Sequence, residues 1–155
     1  MEKSYQKTVN ILKLIHIRVV ARNQEGYLVR TQARSHELVL DEPRESGGTD
    51  QGPTPLETLL AALAGCLIMT LRLHAQRNNV AIESIEAVAE AYVDPRGFIG
   101  KAKPGLQDTR LRLVVRSSTD PEKVKELVHN AEKYCPVADT LRSETPVKLE
   151  LEITE

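Results

Sequence analysis

The sequence has little aromatic character and almost no net charge. Only 3% of its 155 residues are Phe, Trp or Tyr, and Trp is absent. Because 41% of the residues are nevertheless hydrophobic, the core must be built from aliphatic side chains. The formal net charge of −1 provides no basic surplus for a phosphate backbone. We therefore expect no nucleic-acid partner.

Signals for secretion and membrane insertion are also missing. The N-terminal stretch MEKSYQKTVN is polar and lacks the apolar core of a signal peptide. The longest uncharged apolar run, 59–71, is shorter than the about 20 residues of a membrane span. With only two cysteines, we expect a cytoplasmic protein without membrane contact, in which any disulfide is transient or catalytic. The length fits a single domain over 1–155, with about 1–10 as a candidate flexible extension.

Hydrophobic spacing predicts an α+β protein in the order β-β-β, long helix, β-β, helix, β. A loop with three glycines and three prolines separates the first three strands from the long helix. The predicted strands cover approximately 11–21, 26–33, 36–42, 85–93, 109–118 and 146–154. The predicted helices begin at Pro55 and Pro121, and a further helical turn follows Cys135.

The long helix has apolar or small residues on every side. Thr54 is the predicted N-cap, and no charged residue occurs from Thr58 to Leu71. A helix of this kind should be buried all round. One sheet of so small a domain cannot cover it, so we infer that a second sheet or a second subunit packs against it.

The two cysteines have different local settings. Cys66 lies in the middle of the long helix, after Ala64 and Gly65, which leave room for another group to approach. Cys135 precedes Pro136 at the expected start of a helix, where free N–H groups and the helix dipole should lower a thiol pKa. Each could equally be a small core residue, and spacing alone does not show whether the two meet.

Metal and cofactor sites are not predicted. The four histidines, His16, His36, His74 and His129, are scattered and have no zinc-ligand spacing with the cysteines. His74 is interpreted as the last member of the apolar stripe on the long helix. The segment GGTDQG lacks the lysine of a phosphate-binding loop.

Two longer stretches carry a family resemblance. HELVLDEPRESGGTDQGPTPLETLLAALAGC and AEKYCPVADTL resemble the OsmC/Ohr family of thiol peroxidases, in its OsmC-like branch, with a likeness that extends over about 17–153. The resemblance implies an intertwined homodimer with two long central helices packed between sheets and an active site at each dimer interface.

The resemblance also implies roles for the two thiols. Cys66 matches the peroxidatic cysteine, which attacks an organic hydroperoxide, or hydrogen peroxide, and becomes a sulfenic acid. Cys135 matches the resolving cysteine, which forms a disulfide with it. No bound cofactor is implied; an external dithiol, such as a lipoyl-type reductant, reopens the disulfide.

The pair that activates the peroxidatic thiol matches less well. Where the organic-hydroperoxide branch has Glu directly after the helix-opening proline, this chain has Leu56, and the carboxylate follows at Glu57. Glu57 lies almost opposite Cys66 on a regular helix, because nine residues make about two and a half turns. Arg22 is the nearest match to the family's arginine, and Arg30 and Arg44 compete with it.

Two other functions stay open at this point. The misplaced glutamate favours a dimeric module that binds a small apolar ligand or senses redox state without turnover. A plain structural dimer, whose thiols never pair, is the third interpretation.

Overall fold

The computed structural model describes residues 14–154. The candidate extension, 1–10, lies outside the described residues. The chain divides after Pro55 into two compact units, each described below by itself. The prediction of a single domain over 1–155 therefore stays a prediction, whereas the mixture of helix and sheet is confirmed.

The first unit contains a three-stranded antiparallel meander in the order β1-β2-β3, as predicted. Its strands are β1 (Val20–Glu25), β2 (Leu28–Ala33) and β3 (His36–Leu40). A short 3-10 turn, Arg44–Ser46, follows in the Gly- and Pro-rich loop.

The first strand is shorter than predicted. Among the described residues it begins only at Val20, and the alternating Ile15 and Ile17 are exposed. Val20 pairs with Gln32, and β2 ends one residue later, at Ala33, where the chain turns towards β3. The segment before Val20 therefore has no neighbouring backbone in β2 to pair with, and alternation alone cannot supply one.

The loop after β3 is organised by a buried carboxylate. Asp41 accepts hydrogen bonds from the Thr49 hydroxyl at 2.6 Å and from the backbone N–H groups of Glu42, Thr49 and Gln51. The Thr49 hydroxyl contributes most to lowering the pKa of Asp41; burial opposes it, and the three N–H groups also lower the pKa. The loop prediction is confirmed, but the role of Asp41 was missed.

The second unit contains three helices and a two-stranded antiparallel sheet. Its elements are α1 (Pro55–Arg77), β4 (Ser84–Tyr92), a short 3-10 turn (Pro95–Ile99), β5 (Gln107–Arg116), α2 (Pro121–Lys133) and α3 (Pro136–Arg142). The predicted start of α2 is confirmed, with Asp120 as the N-cap that accepts from the Glu122 N–H. The predicted alternation in both strands is also confirmed, because Ile85, Leu111 and Leu113 pack against the core.

The core of this unit is aliphatic, as the composition predicts. One face of α1 meets the ends of α2 and α3 in a buried cluster of Leu63, Leu67, Leu71, Ala75, Leu127, Ala131, Cys135 and Ala138. Leu71 and Cys135 are its largest fully buried side chains. The second thiol is therefore part of the core at the α2–α3 corner.

Within the single chain α1 is not buried on all sides, and the prediction that a second sheet or a second subunit covers it stays a prediction. Leu63, Leu67, Leu71 and Ala75 are buried, whereas Met69 is 74% exposed and Leu73 is also exposed. The second unit supplies enough surface to cover only one face of a 23-residue helix. By length and composition α1 could also cross a membrane, with a mean hydropathy of 1.7, but the core helix of a water-soluble domain meets the same criterion.

The predicted last strand, 146–154, is also absent from the described structure. The described residues 144–154 form neither helix nor strand, and Val147 is 93% exposed. The described strand pairings are β1 with β2, β2 with β3 and β4 with β5. This segment has the alternating pattern of a strand, but a strand also requires backbone hydrogen bonds to a neighbour, and the described pairings provide none for it.

Candidate active site

Cys66 is presented from the middle of α1. Its side chain is partly buried and packs against the aliphatic core. The helix is regular here, and the Thr70 hydroxyl donates to the Cys66 carbonyl oxygen at 2.8 Å. Among described residues, no atom lies within 4 Å of the position that a Cβ on Gly65 would occupy. The backbone beside Cys66 is therefore open to an approaching group.

Cys135 is held at the corner between α2 and α3. It is the N-cap residue of α3 and is fully buried, and its carbonyl oxygen accepts from the Asp139 N–H at 2.9 Å. Pro136 follows at the first helical position, where a missing N–H costs nothing. The predicted place of this thiol at a helix start is confirmed.

The structure brings the two thiols together within one chain. Both cysteines are free thiols, and Cys66 packs against the core cluster that contains Cys135, close enough for the Cys66 thiol to raise the pKa of Cys135. The resemblance implied that they meet at a dimer interface, but their contact here needs only α1 and the α2–α3 corner. This contact is what the spacing could not establish.

The Cys135 pKa differs from the prediction. Burial raises the pKa of the Cys135 thiol, and the hydrogen bond and charge of Cys66 act in the same direction. The backbone N–H groups of Ala138 and Val137 lower it, as expected at a helix start, but they do not outweigh burial. The prediction of a lowered pKa is therefore wrong, since the helix start lies inside the core rather than at the surface.

An apolar cavity of about 710 Å³ shares part of its wall with the core cluster around the thiols. Its wall includes Leu63 and Leu67 of α1, on either side of Cys66 in sequence, and Ala138, whose N–H contacts the Cys135 thiol. Glu132 and Arg142, which form an ion pair, also line it. The cavity can hold an apolar group of moderate size, with polar side chains in part of its wall.

Leu56 also lines this cavity, whereas Glu57 is exposed in the first turn of α1. Nine residues of a regular helix rise about 13 Å, so the Glu57 carboxylate cannot touch Cys66 within the same chain. It could act on the thiol only through an intermediate such as an arginine.

The three candidate arginines all belong to the first unit. Arg22 lies on β1 opposite Arg30 of β2, Arg30 forms an ion pair with Glu37, and Arg44 lies in the 3-10 turn. The roles of Arg22 and Glu57 stay predictions. Within residues 14–154, no cluster of three His, Cys, Asp or Glu side chains could hold a metal ion.

One feature near the site was not predicted from the sequence. The His74 imidazole stacks on the Tyr134 ring, directly before Cys135, with 5.9 Å between ring centroids. His74 was interpreted only as the end of a helix stripe. The sequence does show that His74 follows Cys66 by eight residues and that Tyr134 precedes Cys135. Sequence spacing does not show, however, that α1 packs against the α2–α3 corner.

The described part of the chain is an α+β protein in which two free thiols lie near one another in the core of the second unit. The model of the OsmC family, described as OsmC-like protein, matches residues 48–150. The chain belongs to this family, and the predicted membership is confirmed.

Individual relatives agree with this membership. The chain is 32% identical over 117 residues to the organic hydroperoxide resistance protein OhrB of Bacillus subtilis, covering 74% of this chain and 79% of that one. It is 25% identical over 124 residues to a hydroperoxide reductase of Mycoplasma genitalium, covering 76% and 81%. The crystal structure of an OsmC-like protein from Mycoplasma pneumoniae superimposes with a TM-score of 0.72 at 22% identity, covering 83% and 88%. The last comparison shows the shared fold.

Proposed function

We propose that the protein is a cysteine-based thiol peroxidase that reduces organic hydroperoxides. The observation that carries the proposal is the proximity of two free thiols within one chain, because Cys66 packs against the core cluster that contains Cys135. The names of the Bacillus and Mycoplasma relatives support the same class of substrate. A cytoplasmic location, without nucleic-acid or membrane partners, is part of the proposal.

The reaction has two steps on the protein. The Cys66 thiolate attacks the distal oxygen of the hydroperoxide, the O–O bond breaks, and the alcohol leaves after taking up a proton, which yields Cys66 sulfenic acid. The Cys135 thiol then loses its proton, and its sulfur attacks the Cys66 sulfur, which releases water and forms the disulfide. The hydroperoxide is the oxidant in the first step, and the Cys66 sulfenic acid is the oxidant of Cys135 in the second.

Burial and charge support this division of roles. Cys66 is partly accessible, whereas Cys135 is fully buried and the pKa of its thiol is raised. Part of that rise comes from the negative charge of Cys66. Oxidation of Cys66 to the neutral sulfenic acid removes this charge, so the Cys135 thiol becomes easier to deprotonate when its attack is required.

Exposure also determines where the disulfide is reopened. An external dithiol, of the lipoyl type or similar, can reach the Cys66 sulfur more easily than the buried Cys135 sulfur. The mixed disulfide therefore forms on Cys66, and Cys135 leaves as a thiolate that the Ala138 and Val137 N–H groups stabilise. The second thiol of the reductant completes the cycle, and no bound cofactor takes part.

The apolar cavity favours alkyl substrates over hydrogen peroxide. Leu63 and Leu67 line it and also belong to the core cluster that Cys66 packs against, so an alkyl group can be buried close to this thiol. Hydrogen peroxide has no such group to bury and should react more slowly. Arg22, with Arg30 and Arg44 as alternatives, and Glu57 are assigned to activation of Cys66 by the family resemblance.

A homodimer with active sites at its interface is the proposed assembly. The exposed apolar face of α1, with Met69 and Leu73, is the surface that a second copy would cover. Packing two such helices together between sheets would complete the burial that the single chain leaves unfinished. The unpaired segment 146–154 would gain a strand partner in the same assembly.

The test is peroxide consumption by the purified protein with dihydrolipoamide or dithiothreitol. We expect turnover with tert-butyl hydroperoxide to exceed that with hydrogen peroxide. Cys66→Ser should abolish turnover, and Cys135→Ser should leave a sulfenic acid on Cys66 that a dimedone probe traps. Turnover that persists in Cys66→Ser would overturn the assignment of the nucleophile.

A second candidate function is favoured by the same cavity. A dimeric module that binds an apolar ligand, or senses redox state without turnover, would also use an apolar site beside a thiol pair. Wild-type protein that forms the disulfide after one equivalent of oxidant, but shows no turnover above free dithiol, would establish this alternative. A protein in which the thiols never pair would be the structural dimer.

A further inference from the structure

The stacked pair of His74 and Tyr134 links the two elements that carry the thiols. Its ring planes are within 9° of parallel, and the Lys133 ammonium lies 5.4 Å from the Tyr134 ring centroid. Tyr134 is 58% exposed, so the contact lies at the surface and is not needed to fill the core. It is a specific aromatic contact that sequence pattern and core packing leave unexplained.

Each ring of the stack lies on the same element as one of the two thiols, or next to it in sequence. His74 is on α1, about two turns after Cys66. Tyr134 is the C-cap residue of α2 and is covalently joined to Cys135; its N–H donates to the Asn130 carbonyl at 3.1 Å. A shift of the corner along α1 would therefore change the separation of the thiols and the His74–Tyr134 stack together.

The corner is also braced on its other side. Glu132, near the end of α2, forms an ion pair with Arg142, at the end of α3. This pair links α2 to α3, but it does not connect either helix to α1. In addition to the buried core, the His74–Tyr134 stack connects α1 to the residue directly before Cys135.

We propose that His74 and Tyr134 are positioning residues that hold Cys135 against Cys66 and so raise the effective concentration of one thiol at the other. The inference rests on the proposed function, in which the two sulfurs form a disulfide. A disulfide requires a narrow range of Cα separations, so a loosely held corner would spend less time in bonding geometry. Neither ring takes part in the bond changes at Cys66, so the rate of the first attack on the peroxide should be unaffected.

The experiment compares variants with and without the stack. Tyr134→Leu and His74→Leu remove one ring each, whereas Tyr134→Phe and His74→Phe retain a flat ring. Tyr92→Leu and His129→Leu are matched controls, because Tyr92 and His129 are exposed and belong to other surfaces of the unit. The readouts are the equilibrium of the Cys66–Cys135 disulfide with dithiothreitol and the rate of disulfide formation after one equivalent of tert-butyl hydroperoxide.

We expect Tyr134→Leu and His74→Leu each to shift the equilibrium towards the dithiol by about three- to tenfold, the range of an aromatic pair interaction. The double Leu variant should be no worse than either single variant, because both remove the same contact. Tyr134→Phe, His74→Phe and both controls should stay within about twofold of the wild type. The rate of the first oxidation of Cys66 should not change.

The outcomes separate this inference from the proposed function. Wild-type protein that forms no Cys66–Cys135 disulfide would overturn the resolving step, and the positioning pair with it. A wild-type disulfide that is unchanged in both Leu variants would overturn the positioning pair alone. A Tyr134→Phe variant as impaired as Tyr134→Leu would also overturn it, since the phenol hydroxyl would then be responsible. If Tyr134→Leu unfolds, the His74 pair of variants carries the same test.

Discussion

Cys66, on the middle of a helix, packs against the core cluster that contains Cys135, at the buried start of another helix, and the Cys66 thiol raises the pKa of the Cys135 thiol. Their surroundings differ, because Cys66 is partly accessible and Cys135 is fully buried. A small oxidant can therefore reach the Cys66 thiol but not the neighbouring Cys135 thiol. This asymmetry supports the assignment of attack to Cys66 and of resolution to Cys135.

Alkaline pH should weaken the fold through Cys135. Its pKa is raised by burial, so the folded protein retains this proton at pH values where the unfolded chain, with a thiol pKa near 8.5, releases it. The contribution is complete below about pH 8.5 and is lost as pH rises through the folded pKa. We expect Cys135→Ala to flatten the fall in the free energy of unfolding above about pH 8.5 in urea titrations. An unchanged slope would show that Cys135 does not carry this proton linkage, and His129→Ala is the matched surface control.

Acid should weaken the first unit through Asp41. Hydrogen bonds led by the Thr49 hydroxyl lower the pKa of this buried carboxyl. Its contribution is complete above the unfolded value of about 3.9 and is lost as pH falls through the lower folded pKa. We expect Asp41→Asn to lower the melting temperature at pH 7 and to reduce its acid dependence. Asp50→Asn, an exposed change in the same loop, should do neither.

Truncation of Leu71 should be the most damaging change on α1. Its side chain is fully buried in the cluster with Leu127 and Ala131, so Leu71→Ala leaves a cavity and should cost about 3 kcal/mol. Leu38→Ala removes the same atoms from a partly exposed position on β3 and should cost less than about 1 kcal/mol. Urea unfolding at one fixed protein concentration measures both. Equal losses in the free energy of unfolding would show that burial in the described chain does not determine the cost of truncating these two leucines.

A charge on the exposed face of α1 should separate the proposed dimer. Met69 is 74% exposed in the single chain, so Met69→Lys should leave the helix folded but place an ammonium in the proposed interface. We expect the dimer dissociation constant to rise by on the order of tenfold or more in sedimentation equilibrium, which corresponds to about 1.4 kcal/mol. Gln76→Lys, on an exposed polar position of the same helix, is the control. A dissociation constant unchanged by Met69→Lys would exclude packing through this face.

The sequence predicted most elements of the fold because their signals are local. Pro55, Asp120 with Pro121, and the Cys135–Pro136 step each mark a helix start through their own backbone chemistry. The errors concern the neighbours with which a segment pairs, not the conformation that its own residues favour. The first strand is shorter because β2 ends at Ala33, and the segment 146–154 has no described partner, so neither outcome can be read from alternation.

The candidate site divides in the same way. The positions of Cys66 and Cys135 follow from local pattern, and their roles follow from family resemblance. Their contact, the raised pKa of Cys135 and the His74–Tyr134 stack depend on how α1 meets the α2–α3 corner. These three properties depend on contacts between residues far apart in sequence, so no sequence spacing predicts them.

The exposed segment 146–154 also bears on the solubility of the unassembled chain. Its apolar side chains alternate with Lys148, Glu150 and Glu152, so the pattern is that of an open strand template. If many copies stacked in parallel register, each charge would lie directly over an identical one, and the repulsion would oppose fibril growth. We therefore expect these three charges to oppose aggregation of newly made chains, and their replacement by Thr to make the protein prone to precipitate.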